Sequence, residues 1–219
     1  MDTQQSSPLN PKFDKPIYRD LRKVLSPQKT AEMFLDKFVY SERLGKRSLL
    51  QEDIVIVFDG SESMGSDVFE KQKRAMLEEM KHGDKDKKTS CRYAVVTISS
   101  SPIVNFNFLP SAKAAIKINT ISYPAGSTNT HAALEKAAKL FRTGSYRTFS
   151  EKKIVLFTDG QSDDKQKTLD SAKKIKNRAV KIFVVRVGKY GDGLHEIAKV
   201  ASYPPEQFVF RIDKNHIVQ

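Results

Sequence analysis

Two apolar patterns alternate along the chain between residues 53 and 212. Short, nearly continuous runs rich in β-branched residues occur at Asp53 to Phe58 (DIVIVF), Arg92 to Ser99 (RYAVVTIS) and Ile103 to Phe108. Further runs follow at Ile154 to Thr158 (IVLFT), Val180 to Val187 (VKIFVVRV) and Gln207 to Ile212. A run with little polar alternation is what a strand shows when helices cover both of its faces, as in a parallel sheet. Between the runs the period changes to the helical one. Phe69, Met76 and Met80 fall on one side of a stretch from Ser66 to His82, and Leu134, Ala137, Ala138 and Phe141 on one side of a stretch from Asn129 or Thr130 to Arg142. Helices are also predicted over 111–121, Leu169 to Arg178 and Leu194 to Ala201. Ser99-Ser100-Ser101-Pro102 is a turn that would pair the second and third strands as a hairpin. Strands alternating with helices predict an α/β fold with a doubly wound, mostly parallel central sheet flanked by helices, in three layers.

The amino-terminal segment reads differently. Residues 1–25 are polar, contain proline and show no periodicity, as expected of a flexible arm. Ser26-Pro27 then supplies an N-cap and an N1 proline, and Ala31, Phe34, Leu35 and Phe38 recur at helical spacing. Residues 26–50 are thus expected to hold an amphipathic helix that lies against the main body, 51–213 the main α/β domain and 214–219 a tail. The 219 residues suit one domain with an extension better than two full domains.

Composition narrows the picture a little. No stretch approaches the roughly 20 apolar residues of a membrane span, and the first residues lack the pattern of a secretion signal. One cysteine, Cys91, excludes an internal disulfide framework and sits in a strand-like run, where a buried inert thiol is expected. The net charge of +12 favours acidic partners such as nucleic acid, sulfated glycans or anionic surfaces. The lysines, however, are spread over most predicted helices, and clustering is limited to Lys85-Asp86-Lys87-Lys88, Lys152-Lys153 and Lys173-Lys174. Phe106, Phe108, Phe157 and Phe183 lie in strand-like runs where core filling explains them, which weakens a nucleic-acid reading further.

The chemistry gathers in the loops that follow the predicted strands, where doubly wound sheets bind ligands. After the first strand come Asp59-Gly60-Ser61-Glu62-Ser63-Met64-Gly65, a carboxylate and two hydroxyls at alternate positions. Gly126-Ser127-Thr128-Asn129-Thr130 adds hydroxyls at the mouth of a helix, and Asp159-Gly160 follows the fourth strand. Three loops deliver oxygen donors with no thiolate or imidazole among them. Such a set suits Mg²⁺, with Mn²⁺ or Ca²⁺ as alternatives, and disfavours zinc or copper. Its few charged donors leave room for water or an outside group. Taken singly, Asp59 and Asp159 read as aspartates that start turns, with Ser61 or Ser63 capping the next helix. The combination is what points to a metal.

Asp59-x-Ser61-x-Ser63, Thr128 within Gly-Ser-Thr-Asn-Thr, and Thr158-Asp159-Gly160 resemble, in order, the metal-ion-dependent adhesion site of von Willebrand factor A domains. The likeness covers about residues 52–212 and is closest to the collagen, matrilin and complement branch, on Arg92 to Val96, Gly126 to Thr130 and Phe157 to Asp164. Glu42 to Arg47 is similar to the lead-in of the A domain in polydom-type secreted proteins. The resemblance implies that Ser61, Ser63 and Thr128 ligate the ion directly, that Asp59 and Asp159 often act through water, and that a partner's carboxylate fills the open position. It further implies a non-enzymatic protein-binding module of a secreted matrix or cell-adhesion protein, taking an acidic side chain of a protein ligand such as a matrix protein. Two features depart from the family pattern. Glu62 adds a carboxylate inside the motif, and only Asp213 to Gln219 follow the last predicted strand, where members continue into a C-terminal helix that shifts between affinity states.

Other classes fare worse on residues. There is no GxxxxGK[ST] phosphate loop, and Gly188 to Glu196 (GKYGDGLHE) breaks GxGxxG at its last glycine. Gly60 to Gly65 does not match GxSxG, and His82, His131, His195 and His216 have neither a catalytic setting nor metal-ligand spacing. An intracellular A-domain scaffold that touches nucleic acid through its basic surface remains the rival reading.

Overall fold

The structure, a computed structural model, describes residues 50–84, 89–144, 147, 149–187 and 193–212. The arm at 1–25, nearly all of the 26–50 segment, the lysine cluster at 85–88 and the tail at 214–219 lie outside the described residues.

Among the described residues six strands and five helices follow in the order β1 (Leu50–Asp59), α1 (Gly65–Asp84), β2 (Thr89–Ile98), β3 (Ile103–Pro110), α2 (Ser111–Asn119), α3 (Thr130–Thr143), β4 (Glu151–Thr158), α4 (Lys165–Lys176), β5 (Val180–Val187), α5 (Leu194–Val200) and β6 (Val209–Ile212). The strands form one sheet in the order β3-β2-β1-β4-β5-β6, in which only the β2–β3 hairpin is antiparallel. This is the expected doubly wound, mostly parallel α/β architecture.

The layers follow from strand pleating, which sends alternate side chains to opposite faces. Ile54, Ile56 and Phe58 of β1 join Phe69, Met76 and Met80 of α1 and Ala114 and Ile118 of α2. Val55 and Val57 point the other way, into a second core with Leu134 and Ala137 of α3, Ile175 of α4 and Ile197 of α5. Both residue sets of β1 are buried, which is why its sequence shows no alternation.

The boundaries that moved did so for identifiable reasons. β4 begins three residues before the apolar run, at Glu151-Lys152-Lys153, because buried Lys153 forms an ion pair with buried Glu52 on the neighbouring strand. α4 starts earlier than its apolar pattern because Asp164 caps it, accepting a hydrogen bond from the Lys167 N–H at 2.9 Å. β6 is shorter than expected because Pro205–Gln207 form a 3₁₀ turn. Cys91 is half-buried and its Sγ faces Glu52 Oε2 at 3.8 Å, so it is less enclosed than expected.

Candidate functional site

The site lies where the winding reverses. From β1 the chain passes to β2 on one side and later returns to β4 on the other, so the loops after β1 and β4 diverge from adjacent strands. Val57 is level with Leu156, which brings Asp59 level with Thr158 and close to the loop that opens with Asp159.

Asp59 is held from below by α1. Buried Gln72 accepts a hydrogen bond from the Asp59 N–H at 2.9 Å and donates its Nε2–H to the Asp59 carbonyl at 2.9 Å. With both backbone groups satisfied, the carboxylate is free to face the loops. Its Oδ1 accepts the Ser61 N–H at 3.0 Å, while Oδ2 is shut off from solvent with no hydrogen-bond partner. Burial pushes the Asp59 carboxyl up to about 6; hydrogen bonds from Ser61 and, more weakly, the Thr158 hydroxyl oppose the rise, and the Asp159 charge adds to it. Ser61, 1% exposed, places its Oγ 3.2 Å from the Oγ of exposed Ser63. The alternate spacing thus gathers carboxylate and hydroxyls at one mouth.

Three loops are tied together there. The Glu62 N–H donates to the Gly126 carbonyl at 2.8 Å, and the Tyr123 hydroxyl donates to the Ser61 carbonyl at 3.0 Å. Thr128 and Asp163 exchange hydrogen bonds: Asp163 Oδ1 accepts the Thr128 N–H and the Thr128 carbonyl accepts the Asp163 N–H, both at 3.0 Å. The Thr128 loop is therefore fastened to both neighbours. Two tight approaches require glycine. A Cβ on Gly60 would lie 2.8 Å from the Ile98 carbonyl, and Gly126, at φ +103°, presses against Ser100. Glu62 itself is exposed and takes part through its backbone alone.

Asp159 is partly exposed, its Oδ1 accepting the Gln161 N–H at 3.1 Å. Behind it stands a residue that sequence reading missed. Buried Glu196 of α5 accepts a hydrogen bond from Ser162 Oγ, leaves Oε2 without a partner, and has its carboxyl raised by burial. Gln72, Tyr123 and Asp163 were also missed. Asp163 directly precedes the capping Asp164, and that pair in a post-strand loop was the one available signal.

The five predicted residues thus occupy one rim: Asp59, Ser61 and Ser63 in direct contact, Thr128 on a loop bonded to theirs, and Asp159 close enough for its charge to act on Asp59. Among the described residues no group of three or more His, Cys, Asp or Glu side chains is arranged to hold a metal. The donor set here is instead two carboxylates with three hydroxyls. An orphaned, desolvated carboxylate oxygen beside hydroxyls fits a hard cation, since burying an unpaired charge is costly without one.

The fold and these three loops define a class. The von Willebrand factor type A domain model matches residues 53–218, and the chain belongs to that family. It is similar to human Matrilin-1, at 32% identity over 72% of this chain and 32% of the relative, and to the human Collagen alpha-1(XXI) chain, at 27% over 74% and 17%. The chain therefore spans a third or less of the length of these relatives. Among solved structures it is similar to proximal thread matrix protein 1 from the mussel byssus with a zinc-occupied MIDAS motif (TM-score 0.63, 23% identity, 74% of this chain and 41% of that one). Among the described residues no helix is long and apolar enough to cross a membrane.

Proposed function

We propose that this domain is a non-enzymatic binding module that holds Mg²⁺, or Mn²⁺ or Ca²⁺ in its place, on Asp59, Ser61, Ser63, Thr128 and Asp159. The buried Asp59 Oδ2 without a partner is the observation that carries the reading, because the carboxyl, raised only to about 6, is charged at neutral pH and a cation offsets the cost of its desolvation. When bound, the ion supplies an electrophilic position for an incoming anion. The chain's own part is to fix the donors: Gln72 immobilises Asp59, Tyr123 and Gly126 hold the Ser61 loop, and Asp163 holds Thr128. With Asp59 and Asp159 acting through water, as the family resemblance implies, the two carboxylates neutralise the ion only in part, which leaves the position attractive to an acidic side chain of a protein ligand. The matrilin and collagen relatives support an extracellular matrix or adhesion protein as the source, secreted like matrix proteins in general.

Titration calorimetry of Mg²⁺ and Mn²⁺ into the purified chain tests this, beside a doubly substituted Asp59→Ala, Thr128→Ala chain whose fold is checked by circular dichroism. Saturable uptake by the parent alone is expected. No heat of binding in a folded parent, or equal uptake by the variant, sinks the reading.

A second reading rests on α4, whose exposed surface carries Lys165, Lys167, Lys173 and Lys174 against Asp170 as the helix's one acid. That excess of exposed lysine suits a polyanion such as a sulfated glycan, or nucleic acid in an intracellular scaffold. Binding that survives chelator but falls steeply with salt would favour it.

A further inference from the structure

The loop that opens with Asp159 runs from the end of β4 to the start of α4, and its middle is held from two sides. Toward the rim, exposed Asp163 exchanges its pair of 3.0 Å hydrogen bonds with Thr128. Toward the interior, buried Ser162 gives both its hydroxyl and its N–H to the carboxylate of Glu196. Ser162 faces inward and Asp163 outward, so what fixes the first also places the second.

Glu196 stands on a firm post. α5 buries Leu194, Ile197 and Val200, none more than 5% exposed. Lys176 of α4 pins its carboxyl end, donating from Nζ to the Lys199 and Ala201 carbonyls at 2.6 and 2.9 Å. Just beyond, Ser202 donates its N–H to the Ile182 carbonyl of β5 at 3.0 Å, and its Oγ accepts the Ile182 N–H at 2.9 Å. At the amino end the backbone meets the Asp159 loop directly. A Cβ on Gly160 would lie 2.6 Å from the Gly193 carbonyl, and one on Gly193 would lie 2.5 Å from the Asp159 carbonyl. α5 is thus fixed to the sheet at one end and pressed on the loop at the other.

Packing alone does not account for a carboxylate here. Glu196 is 6% exposed and its Oε2 has no hydrogen-bond partner, so the fold carries the desolvation of this oxygen. The charge of Lys165 acts on it only from an exposed side chain. An apolar residue would fill the same place without that cost, but it could not accept two hydrogen bonds from Ser162. We propose that Glu196 is a positioning residue for the cation site. Through Ser162 it sets the place of Asp163, and through Asp163 that of Thr128 relative to the donors of the β1 loop. This role rests on the cation assignment of Asp59, Ser61, Ser63, Thr128 and Asp159.

Amide hydrogen exchange of the metal-free full chain reads the first half of this relay, and calorimetric Mn²⁺ uptake reads the second. Glu196→Ala and Ser162→Ala should each speed exchange at Thr128 and Asp163 on the order of 10-fold, with Val57 of β1 unchanged as the check that the sheet is intact. Each should also weaken Mn²⁺ uptake on the order of 10-fold, and the double variant no further than either one, because both cut the same path. Glu196→Gln keeps a carbonyl oxygen to accept from Ser162 and should stay near the parent in both readouts. Unchanged Thr128 exchange in Glu196→Ala, or undiminished Mn²⁺ uptake in both alanine variants, would overturn the positioning role and leave the cation assignment standing. A Gln variant as impaired as the Ala one would also sink it, since charge rather than position would then be at work. Ser162→Ala decides where Glu196→Ala does not fold. A parent that takes up no Mn²⁺ overturns the cation assignment and this role with it, while faster Thr128 exchange in the variants would still show that Glu196 holds the loop.

Discussion

Strand β1 buries a carboxylate at each end, and the two are treated in opposite ways. At the amino end, Asp53 is fully paired: Arg92 donates to it at 2.9 and 3.0 Å, Arg147 through Nε at 3.1 Å, and Ser150 Oγ at 2.7 Å. Next to it Glu52 is matched by buried Lys153. At the carboxyl end, Asp59 is equally buried but meets hydroxyls, backbone N–H groups and another aspartate, and one of its oxygens has no partner. Burial alone therefore says little about role. What separates a structural carboxylate from a ligand-seeking one is whether the chain supplies the countercharge itself.

Breaking the matched end should cost the most. Asp53→Ala strands Arg92 and Arg147 half-buried without their carboxylate, and a loss of roughly 3–5 kcal/mol is expected in urea unfolding. A loss below 1 kcal/mol would mean that the network is solvated and the contrast false.

Glu79 sharpens the comparison, since it too has an orphan oxygen, but no hydrogen bond opposes the rise of its carboxyl, which burial causes with the Glu78 charge second. Its carboxyl rises from an ordinary 4.5 to about 8, so the folded chain holds the proton more tightly than the unfolded one. Stability linked to Glu79 is full below about 4.5 and is lost as pH rises towards 8. Glu79→Gln should flatten that slope and leave the variant about 2–4 kcal/mol more stable at pH 8, read from unfolding midpoints across pH. It should leave metal uptake unchanged, which would show that an orphan carboxylate without neighbouring donors makes no cation site.

At the open end, Asp59→Asn removes a desolvated charge. The metal-free variant should be about 1–3 kcal/mol more stable than the parent at pH 7, with metal uptake abolished. Destabilisation of the metal-free form would contradict the view that Asp59 is held at a cost to the fold. The smallest effect is expected at the mouth of α3, where Asn129 accepts the Ala132 N–H at 3.4 Å. Asn129→Ala should cost about 0.5–1 kcal/mol in thermal unfolding and leave metal uptake in place.

The sequence exposed some of this far better than the rest. Continuous runs such as DIVIVF and VKIFVVRV revealed a sheet covered on both faces, because only a doubly packed strand needs no polar side. The five candidate donors were legible because hydroxyls and aspartates recur at post-strand positions in three separate loops. Their supports were not, since Gln72 acts from thirteen residues away in the middle of a helix, where it reads as an ordinary surface glutamine. Glu196 and Asp163 gain their meaning from loop-to-loop hydrogen bonds that no local spacing encodes. The start of β4 was hidden for a related reason: Lys153 reads as solvated until Glu52 is found opposite it.

The most direct measurement is the thermal unfolding midpoint of the full chain with Mg²⁺ or Mn²⁺ against chelator, for the parent, Asp59→Asn and Asp53→Asn. Ligand linkage raises the midpoint of any folded state that binds the ion. The parent and Asp53→Asn should both rise on adding metal, from different baselines, while Asp59→Asn should not respond. A parent indifferent to metal, or an Asp59→Asn chain that gains as much as the parent, would contradict the assignment of the open end of β1 as the cation site.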